Sequence, residues 1–149
     1  MASFISPEEF RDKIDRDESF YLIDTRSESD YDEWHINEAI NIPYSEENGS
    51  LDEFLSSEKF DAGDQIITVC AKGVTSAALA RKLEEKGFSD VKTIKGGLRA
   101  WSGFYDRVPI STEDDDLLIV QLQRRAKGCL GYIAGSKKSG EAAAVDVSR

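Results

Sequence analysis

Short apolar runs rich in β-branched residues recur along the first part of the chain and predict buried strands. They lie at residues 20–23, 39–42, 66–69 and 91–94. Between these runs, apolar residues return every three or four positions, as Leu79 and Leu83 do, which is typical of helices with one buried face. Strands that alternate with helices predict an α/β fold, in which a parallel sheet with right-handed crossovers is flanked by helices.

The predicted helices begin and end at residues suited to those positions. One follows Ser6, one follows Ser27, and others cover residues 51–55, 76–86 and 98–101. Ser6 and Glu9 have the spacing of a capping box, with proline between them at the first helical position. Gly87 is suited to a left-handed turn that ends the longest helix, and Gly96-Gly97 predicts a second tight turn beside residue 70.

The pattern changes after Pro109. Residues 112–116 form a charged linker, and strand-like segments follow it without helices between them, at residues 117–123, 129–135 and 142–147. The last two are joined by a turn rich in glycine, serine and lysine. The sequence therefore predicts a first domain over residues 1–110 and a short β-rich extension over residues 111–149.

The net charge of −10 is concentrated in the predicted first domain. Residues 1–110 carry 23 acidic and 13 basic side chains, whereas residues 111–149 carry 6 of each. This acidic balance argues against binding nucleic acid or a membrane surface through a basic face. No apolar run approaches the ~20 residues of a membrane span, and no signal peptide is expected.

Two cysteines, Cys70 and Cys129, give neither a disulfide framework nor the spacing of metal ligands. We therefore expect a cytoplasmic protein that holds no metal. A single disulfide between the two cysteines is an alternative, but it would consume the thiol of Cys70, which is the candidate nucleophile.

Cys70 lies where a predicted buried strand ends and a tight loop leads into a helix. Loop amides and the first helical turn offer unpaired N–H groups and the positive end of the helix dipole, which favour a thiolate. Lys72 adds a positive charge, and Gly73 lets the backbone turn back without steric cost. Thr75 and Ser76 are placed to cap the helix or to donate hydrogen bonds to sulfur. A reactive, partly ionised cysteine is favoured over an inert buried one.

The same loop resembles the active-site loop of the rhodanese family of sulfurtransferases, in which a cysteine opens a six-residue loop. The residues that carry this resemblance are Cys70-Ala71-Lys72-Gly73-Val74-Thr75-Ser76. Segments 21–26, 35–43 and 95–101 resemble further motifs of that family, in the same order, so the resemblance covers roughly residues 4–108. Two positions depart from the family pattern: Ala71 stands where arginine is frequent, and Trp34 stands where glycine is usual.

This resemblance implies that the Cys70 thiolate takes the outer sulfur of a donor such as thiosulfate and becomes a persulfide. A thiophilic acceptor, a thiol in the cell or cyanide in the test tube, then removes that sulfur. The amides of residues 71–76 would hold the anionic persulfide, and Lys72 and Arg26 would steer an anionic donor. The implied partners are thus a small sulfur donor and a small acceptor, with no cofactor.

Polar residues near predicted strand ends have two interpretations each. Asp24 and Arg26 follow a strand at the sheet edge where ligands of parallel sheets bind; they either contact substrate or form an ion pair that fixes their loop. His35 is the only histidine and is either a general base for Cys70 or a structural residue bonded to the backbone. The structural role is favoured, because a persulfide mechanism needs no external base.

The strand-like segments after residue 116 resemble the opening hairpins of metallo-β-lactamase-fold hydrolases. The histidine-rich zinc motif of that family is absent, and a chain with a single histidine cannot form it. The tail is interpreted as the truncated or vestigial start of a second domain. The alternative is a β-rich extension that pairs with the edge of the first domain or with another chain, which would make an oligomer.

Two other functions stay open. A cysteine phosphatase shares the strand, cysteine loop and helix, but it needs an arginine six residues after the cysteine to clamp phosphate, and position 76 is serine. The tail suggests the other, a non-catalytic or sulfur-carrier module that docks on a hydrolase partner. Such a module would turn over free thiosulfate weakly and its partner's persulfide much better.

Overall fold

The computed structural model describes residues 3–45, 51, 52, 55 and 60–146. The chain divides into two compact units, of which the first extends to Trp101 and the second begins at Ser102. The first unit holds a five-stranded sheet and the second a four-stranded sheet. The predicted α/β fold, with a parallel sheet flanked by helices and a β-rich C-terminal part, is confirmed.

Every neighbouring pair of strands in the first sheet is parallel, in the order β1-β5-β4-β2-β3. The strands are β1 (Ser3–Ile5), β2 (Tyr21–Asp24), β3 (Ile40–Asn41), β4 (Gln65–Val69) and β5 (Asp90–Ile94). The helices are α1 (Pro7–Asp15), α2 (Glu28–Glu33), α3 (Val74–Glu85) and α4 (Gly97–Gly103). The strand that leads into Cys70, β4, is therefore the central strand of the sheet.

Local sequence signals set the ends of these helices. Ser6 Oγ accepts from the Glu9 amide at 3.1 Å, and the Glu9 carboxylate accepts from the Ser6 amide at 2.8 Å, which completes the predicted capping box. Ser27 caps α2 by accepting from the Asp30 amide. Gly87 follows α3 with φ +99°, the left-handed conformation that the sequence predicted there. The described residues 51, 52 and 55 are helical, in the segment where a short helix was predicted.

Helix α3 supplies one side of the core. Leu79, Ala80 and Leu83 are fully buried, as their helical spacing predicted. They form one cluster with buried residues of neighbouring segments, namely Ile23, Ile42, Leu51, Ile66 and Val91. Each fully buried leucine contributes about 1.5–3 kcal/mol relative to exposure, so this face fixes the helix and the loop that precedes it.

A second apolar group lies on α1. Phe10 is fully buried and meets Phe20 and Trp101 edge to face, with ring centroids 5.7 Å and 5.0 Å away. Trp101 is itself buried, so α4 is anchored to the core of the first unit by its aromatic side chain. None of the described helices has the length and apolar composition needed to cross a bilayer.

The second unit is an antiparallel sheet in the order β6-β7-β8-β9. Its strands are β6 (Asp106–Ile110), β7 (Leu117–Arg124), β8 (Cys129–Ser136) and β9 (Ala142–Val145). The last three coincide with the predicted segments. The sequence did not predict β6, which contains Pro109 and lies at the sheet edge, where a missing amide is tolerated. The division at Trp101 therefore comes before the change of charge at residue 110, because β6 pairs with β7.

Candidate active site

Cys70 is the first residue after β4 and is 5% exposed. Gly73, with φ +88°, turns the chain into α3, which begins at Val74. No side chain caps this helix, so the capping role considered for Thr75 and Ser76 is wrong. Both Cys70 and Cys129 are free thiols, and the alternative of a disulfide between them is not realised.

Several hydrogen-bond donors converge on the sulfur of Cys70. The Gly73 amide lies 3.1 Å and the Ser76 hydroxyl 3.4 Å from Sγ. Burial raises the pKa of the Cys70 thiol, but bonds from the Ser76 hydroxyl and from the amides of Ser76, Lys72 and Gly73 outweigh it, so the pKa lies below its ordinary value. This direction agrees with the one that the sequence predicted, and Lys72 contributes through its backbone amide.

The first residues of α4, which follow the Gly96-Gly97 turn, are hydrogen-bonded to the backbone of the Cys70 loop. The Leu98 amide donates to the Cys70 carbonyl at 2.8 Å, and the Arg99 amide donates to the Ala71 carbonyl at 3.0 Å. In a trans peptide the N–H points away from the carbonyl of the same unit. Because the Ala71 carbonyl points to α4, the Lys72 amide points to the opposite side, where it can donate to sulfur.

Gly97 makes this close approach possible. It has φ +61°, and a Cβ built on it would lie 2.2 Å from the Cys70 carbonyl oxygen and 2.7 Å from the Gly73 nitrogen. All these atoms are backbone, so no side-chain movement relieves the clash. The second tight turn, predicted from Gly96-Gly97, therefore lies beside the Cys70 loop as expected.

Three fully buried residues with hydroxyl groups lie behind Cys70, on two strands and on the helix that follows the loop. Thr68 on β4, Ser76 on α3 and Thr93 on β5 are each 0% exposed. Thr93 Oγ1 lies 2.7 Å from Ser76 Oγ, and Thr68 Oγ1 donates to the Ser76 carbonyl at 3.0 Å. Sequence reasoning missed both threonines, because a β-branched residue in a strand is read as core; their only signal was a hydroxyl within an apolar run.

Asp24 and Arg26 bond to each other at the end of β2. Arg26 Nη2 lies 2.7 Å from Asp24 Oδ2, and Nε lies 3.1 Å from both carboxylate oxygens. Nη1 also donates to the carbonyl of Asp30 at 2.9 Å, and Nη2 to that of Trp34 at 2.6 Å. Asp24 is fully buried and the Arg26 side chain is 13% exposed. This geometry favours the ion pair that fixes the loop over a contact with substrate.

His35 is bonded to the backbone, and Trp34 has a backbone conformation that does not require glycine. His35 Nδ1 lies 2.9 Å from the Tyr31 carbonyl, and its ring stacks on Tyr31 at a centroid distance of 3.9 Å. These contacts favour the structural interpretation of the histidine. Trp34 has φ −169°, an extended conformation open to any residue, so it replaces the usual glycine without backbone strain.

The rim of the loop is exposed, and the two segments that build it carry basic but no acidic side chains. Ala71, Lys72, Val74 and Thr75 are exposed, with Val74 76% accessible. Lys95 and Arg99 are exposed on the adjoining turn and helix, and neither residues 70–76 nor residues 95–101 include an acid. Of the predicted loop residues, Lys72, Gly73 and Ser76 thus bond the sulfur, while Ala71, Val74 and Thr75 present their side chains at the rim. Among the described residues, no group of three or more histidine, cysteine or acidic side chains could hold a metal.

Comparison with known proteins agrees with this geometry. The sequence matches the profile of the rhodanese-like domain over residues 6–103. It is 32% identical over 99 residues to two Bacillus subtilis proteins, the putative sulfur carrier protein YrkF and the putative sulfurtransferase YtwF. Each alignment covers 66% of this chain, with 50% of YrkF and 89% of YtwF, so the chain spans half the length of the former. A rhodanese-like domain protein from Staphylococcus aureus has a similar structure, with TM-score 0.58, 28% identity and coverage of 68% of this chain and 91% of that one.

Proposed function

Because the chain belongs to the rhodanese-like domain family, we propose that it moves sulfane sulfur from thiosulfate or a persulfide donor to a thiophilic acceptor through a Cys70 persulfide. The observation that carries this proposal is the convergence of the Ser76 hydroxyl and the amides of Ser76, Lys72 and Gly73 on Sγ. Donors arranged in this way stabilise an anionic sulfur before the reaction begins.

The reaction divides into two half-reactions. The Cys70 thiolate attacks the outer sulfur of thiosulfate; a bond forms between Sγ and that sulfur, the original S–S bond breaks, and sulfite leaves with the electron pair. The acceptor then attacks the outer sulfur of the persulfide, and Sγ leaves as the thiolate. Cyanide becomes thiocyanate in this step. The loop donors hold negative charge on sulfur in both halves.

An anionic donor suits the mouth of the loop. Lys72, Lys95 and Arg99 place positive charge on its two sides in a chain whose net charge is −10. Ala71 lacks the arginine side chain frequent at that position in the family. Lys72, Lys95 and Arg99 therefore provide most of the electrostatic attraction for an anionic donor. Arg26 is bound to Asp24 and contributes to the fold of its loop.

Initial-rate kinetics with thiosulfate and cyanide, each varied at several concentrations of the other, test this function. We expect ping-pong behaviour, with parallel double-reciprocal lines, and loss of detectable transfer in Cys70→Ser. The matched control is Cys129→Ser, which changes the other free thiol and leaves Cys70 in place. Transfer by Cys70→Ser, or loss of transfer in Cys129→Ser alone, would contradict the proposal.

A second candidate is a sulfur-carrier module that docks on a metallo-β-lactamase-type hydrolase. The antiparallel strands β7, β8 and β9 favour it, because they are formed by the segments that resemble the start of such hydrolases. The carrier function predicts stoichiometric loading of Cys70 but slow turnover with free thiosulfate and cyanide. Addition of a hydrolase of that class would then accelerate sulfur release, whereas an independent sulfurtransferase would show no acceleration.

A further inference from the structure

The buried hydroxyls behind Cys70 form a chain that ends on the sulfur. Thr93 Oγ1 lies 2.7 Å from Ser76 Oγ, which lies 3.4 Å from Cys70 Sγ. Thr93 Oγ1 also lies 3.2 Å from the carbonyl oxygen of Thr68, its partner across the β4–β5 pair. Valine would fill the Thr93 site with nearly the same shape, and a buried hydroxyl is costly unless its bonds are made.

Each hydroxyl in this chain has a single hydrogen, so two directions of hydrogen bonding are open. When Thr93 donates to Ser76 Oγ, the Ser76 hydrogen is directed to Sγ. When Thr93 donates to the Thr68 carbonyl, Ser76 donates to Thr93 and leaves a lone pair open to accept from a thiol S–H. Both alternatives for Thr93 lie within hydrogen-bonding distance.

We propose that Thr93 is a positioning residue for the chemistry of Cys70, and that the Thr93–Ser76 chain reverses its direction when the sulfur loses or regains its proton. In the thiolate and the persulfide, Thr93 donates to Ser76 and Ser76 donates to sulfur. In the thiol, the sulfur donates to Ser76, Ser76 to Thr93 and Thr93 to the Thr68 carbonyl. The hydroxyls only rotate; the thiol proton itself passes to a base in solvent. This inference rests on the proposed role of Cys70 and extends it to β5.

Thr68 provides a matched control. It is also a fully buried threonine, on the neighbouring strand, but its single hydroxyl hydrogen is shared between the carbonyls of Ser76 at 3.0 Å and Lys92 at 3.3 Å. Its hydroxyl therefore lies outside the chain that ends on sulfur. Thr68→Val and Thr93→Val each remove one buried hydroxyl with little change of shape, but only the second removes the hydroxyl that bonds Ser76 Oγ.

The test is the pH dependence of Cys70 alkylation, followed at the Cys70 peptide by mass spectrometry in Thr93→Val, Thr93→Ser and Thr68→Val. We expect Thr93→Val to move the midpoint to higher pH and to slow alkylation at neutral pH by roughly three- to tenfold, the range for one hydrogen bond between neutral groups, because Ser76 Oγ loses its donor. Thr93→Ser keeps the hydroxyl and should restore the wild-type midpoint. Thr68→Val should leave it unchanged. The charged side chains of the Cys70 loop, the adjoining turn and α4, namely Lys72, Lys95 and Arg99, are the same in all variants.

Thermal unfolding of each variant checks that a slower reaction does not come from lost structure, and Thr93→Ala replaces the valine variant if that one fails to fold. Equal midpoints in Thr93→Val and Thr68→Val, or failure of Thr93→Ser to restore the midpoint, would overturn the inference. Alkylation requires no sulfur donor. A shifted midpoint in a protein that takes no sulfur from thiosulfate or a persulfide would therefore support the hydroxyl chain while contradicting the proposed function.

Discussion

Two neighbouring parallel strands, β2 and β4, end at the same edge of the sheet in polar loops of opposite character. After β2, the carboxylate of Asp24 and the guanidinium of Arg26 bond to each other, and the guanidinium also donates to two backbone carbonyls. After β4, amides and a hydroxyl all point at one sulfur, Cys70 Sγ. The first loop contains its own counter-charge, whereas the second supplies donors to an anion that must form on the sulfur.

The difference teaches how to separate a structural polar motif from a chemical one. An aspartate and an arginine two positions apart at a strand end suggested substrate contact as readily as an ion pair. The decisive observation is where the hydrogen bonds go, because buried donors that bond to buried acceptors are already used by the fold. The loop after β4 instead gathers its donors on a nucleophile, and it is the one that we assign to the reaction.

The largest effect is expected from a substitution in the glycine turn that supports the Cys70 loop. In Gly97→Ala the new methyl group meets backbone atoms of Cys70, Lys72 and Gly73. We expect a loss of about 2–5 kcal/mol in the free energy of unfolding, from left-handed strain and overpacking. Transfer by the folded fraction should fall by at least ~100-fold, because the donors move away from sulfur.

Gly87→Ala is the matched control for this variant. Gly87 also has positive φ, +99°, but a Cβ built there meets no atom within 4 Å. We expect only the backbone cost of about 1–2 kcal/mol and unchanged transfer. Chemical denaturation and initial-rate kinetics measure both variants; equal transfer in Gly97→Ala and Gly87→Ala would refute the role given to the glycine turn.

The next effect concerns the loop after β2, which the Asp24–Arg26 ion pair fixes. Arg26→Met leaves the buried Asp24 carboxylate without its guanidinium partner, so we expect a loss of about 3–5 kcal/mol in the free energy of unfolding. The double variant Asp24→Asn/Arg26→Met should recover part of that loss. Transfer per folded molecule and the KM for thiosulfate should stay within about twofold of wild type, since neither side chain is expected to touch the donor. A large rise in KM with little loss of stability would instead make Arg26 a substrate contact.

The pH dependence of reactivity tests the other loop. The hydrogen bonds on Sγ lower the pKa of Cys70, so the thiolate persists to lower pH in the folded protein than in the unfolded chain. Alkylation of Cys70 should reach half its maximum below the ~8.5 of an ordinary cysteine, and fall about tenfold per pH unit below that midpoint. The same peptide in denaturant is the control. A folded-state midpoint at or above the denatured one would contradict the assignment of the loop as an anion site.

The smallest effect is expected from a substitution that distinguishes the contribution of the Lys72 amide from that of its side chain. The sulfur interacts with the Lys72 amide, which Lys72→Gln retains, while the ammonium group is exposed at the rim. We expect an unchanged alkylation midpoint and a rise of about two- to fivefold in KM for thiosulfate at low salt, which shrinks as salt is added. Lys82→Gln, an exposed change of equal charge farther along α3, is the control and should leave KM unaltered.

Much of the first unit could be predicted because local signals and long-range packing agree there. The runs at residues 66–69 and 91–94 became buried strands, the Ser6 capping box formed, and the glycines at 73 and 97 took left-handed conformations around Cys70. In each case the residue type is what the backbone position demands. The loop and its turn could therefore be placed together before any coordinates were known.

Other features depend on partners that the local sequence does not reveal. Ser3–Ile5 is too short to show a period and becomes a strand by pairing with β5. Asp106–Ile110 looks like a linker because of its proline, and becomes a strand by pairing with β7. Thr93 looks like core; its contact with Ser76 arises only when α3 packs on the β4–β5 pair.

The most direct test of the central claim is intact-mass measurement of the reduced protein before and after thiosulfate, followed by cyanide. We predict a gain equal to one sulfur atom that maps to the Cys70 peptide, is absent in Cys70→Ser, and disappears when cyanide is added. The same sequence with a small-molecule persulfide extends the test to the other donor class. No gain from either donor, on a protein whose Cys70 is shown to be reduced and alkylatable, would contradict the account.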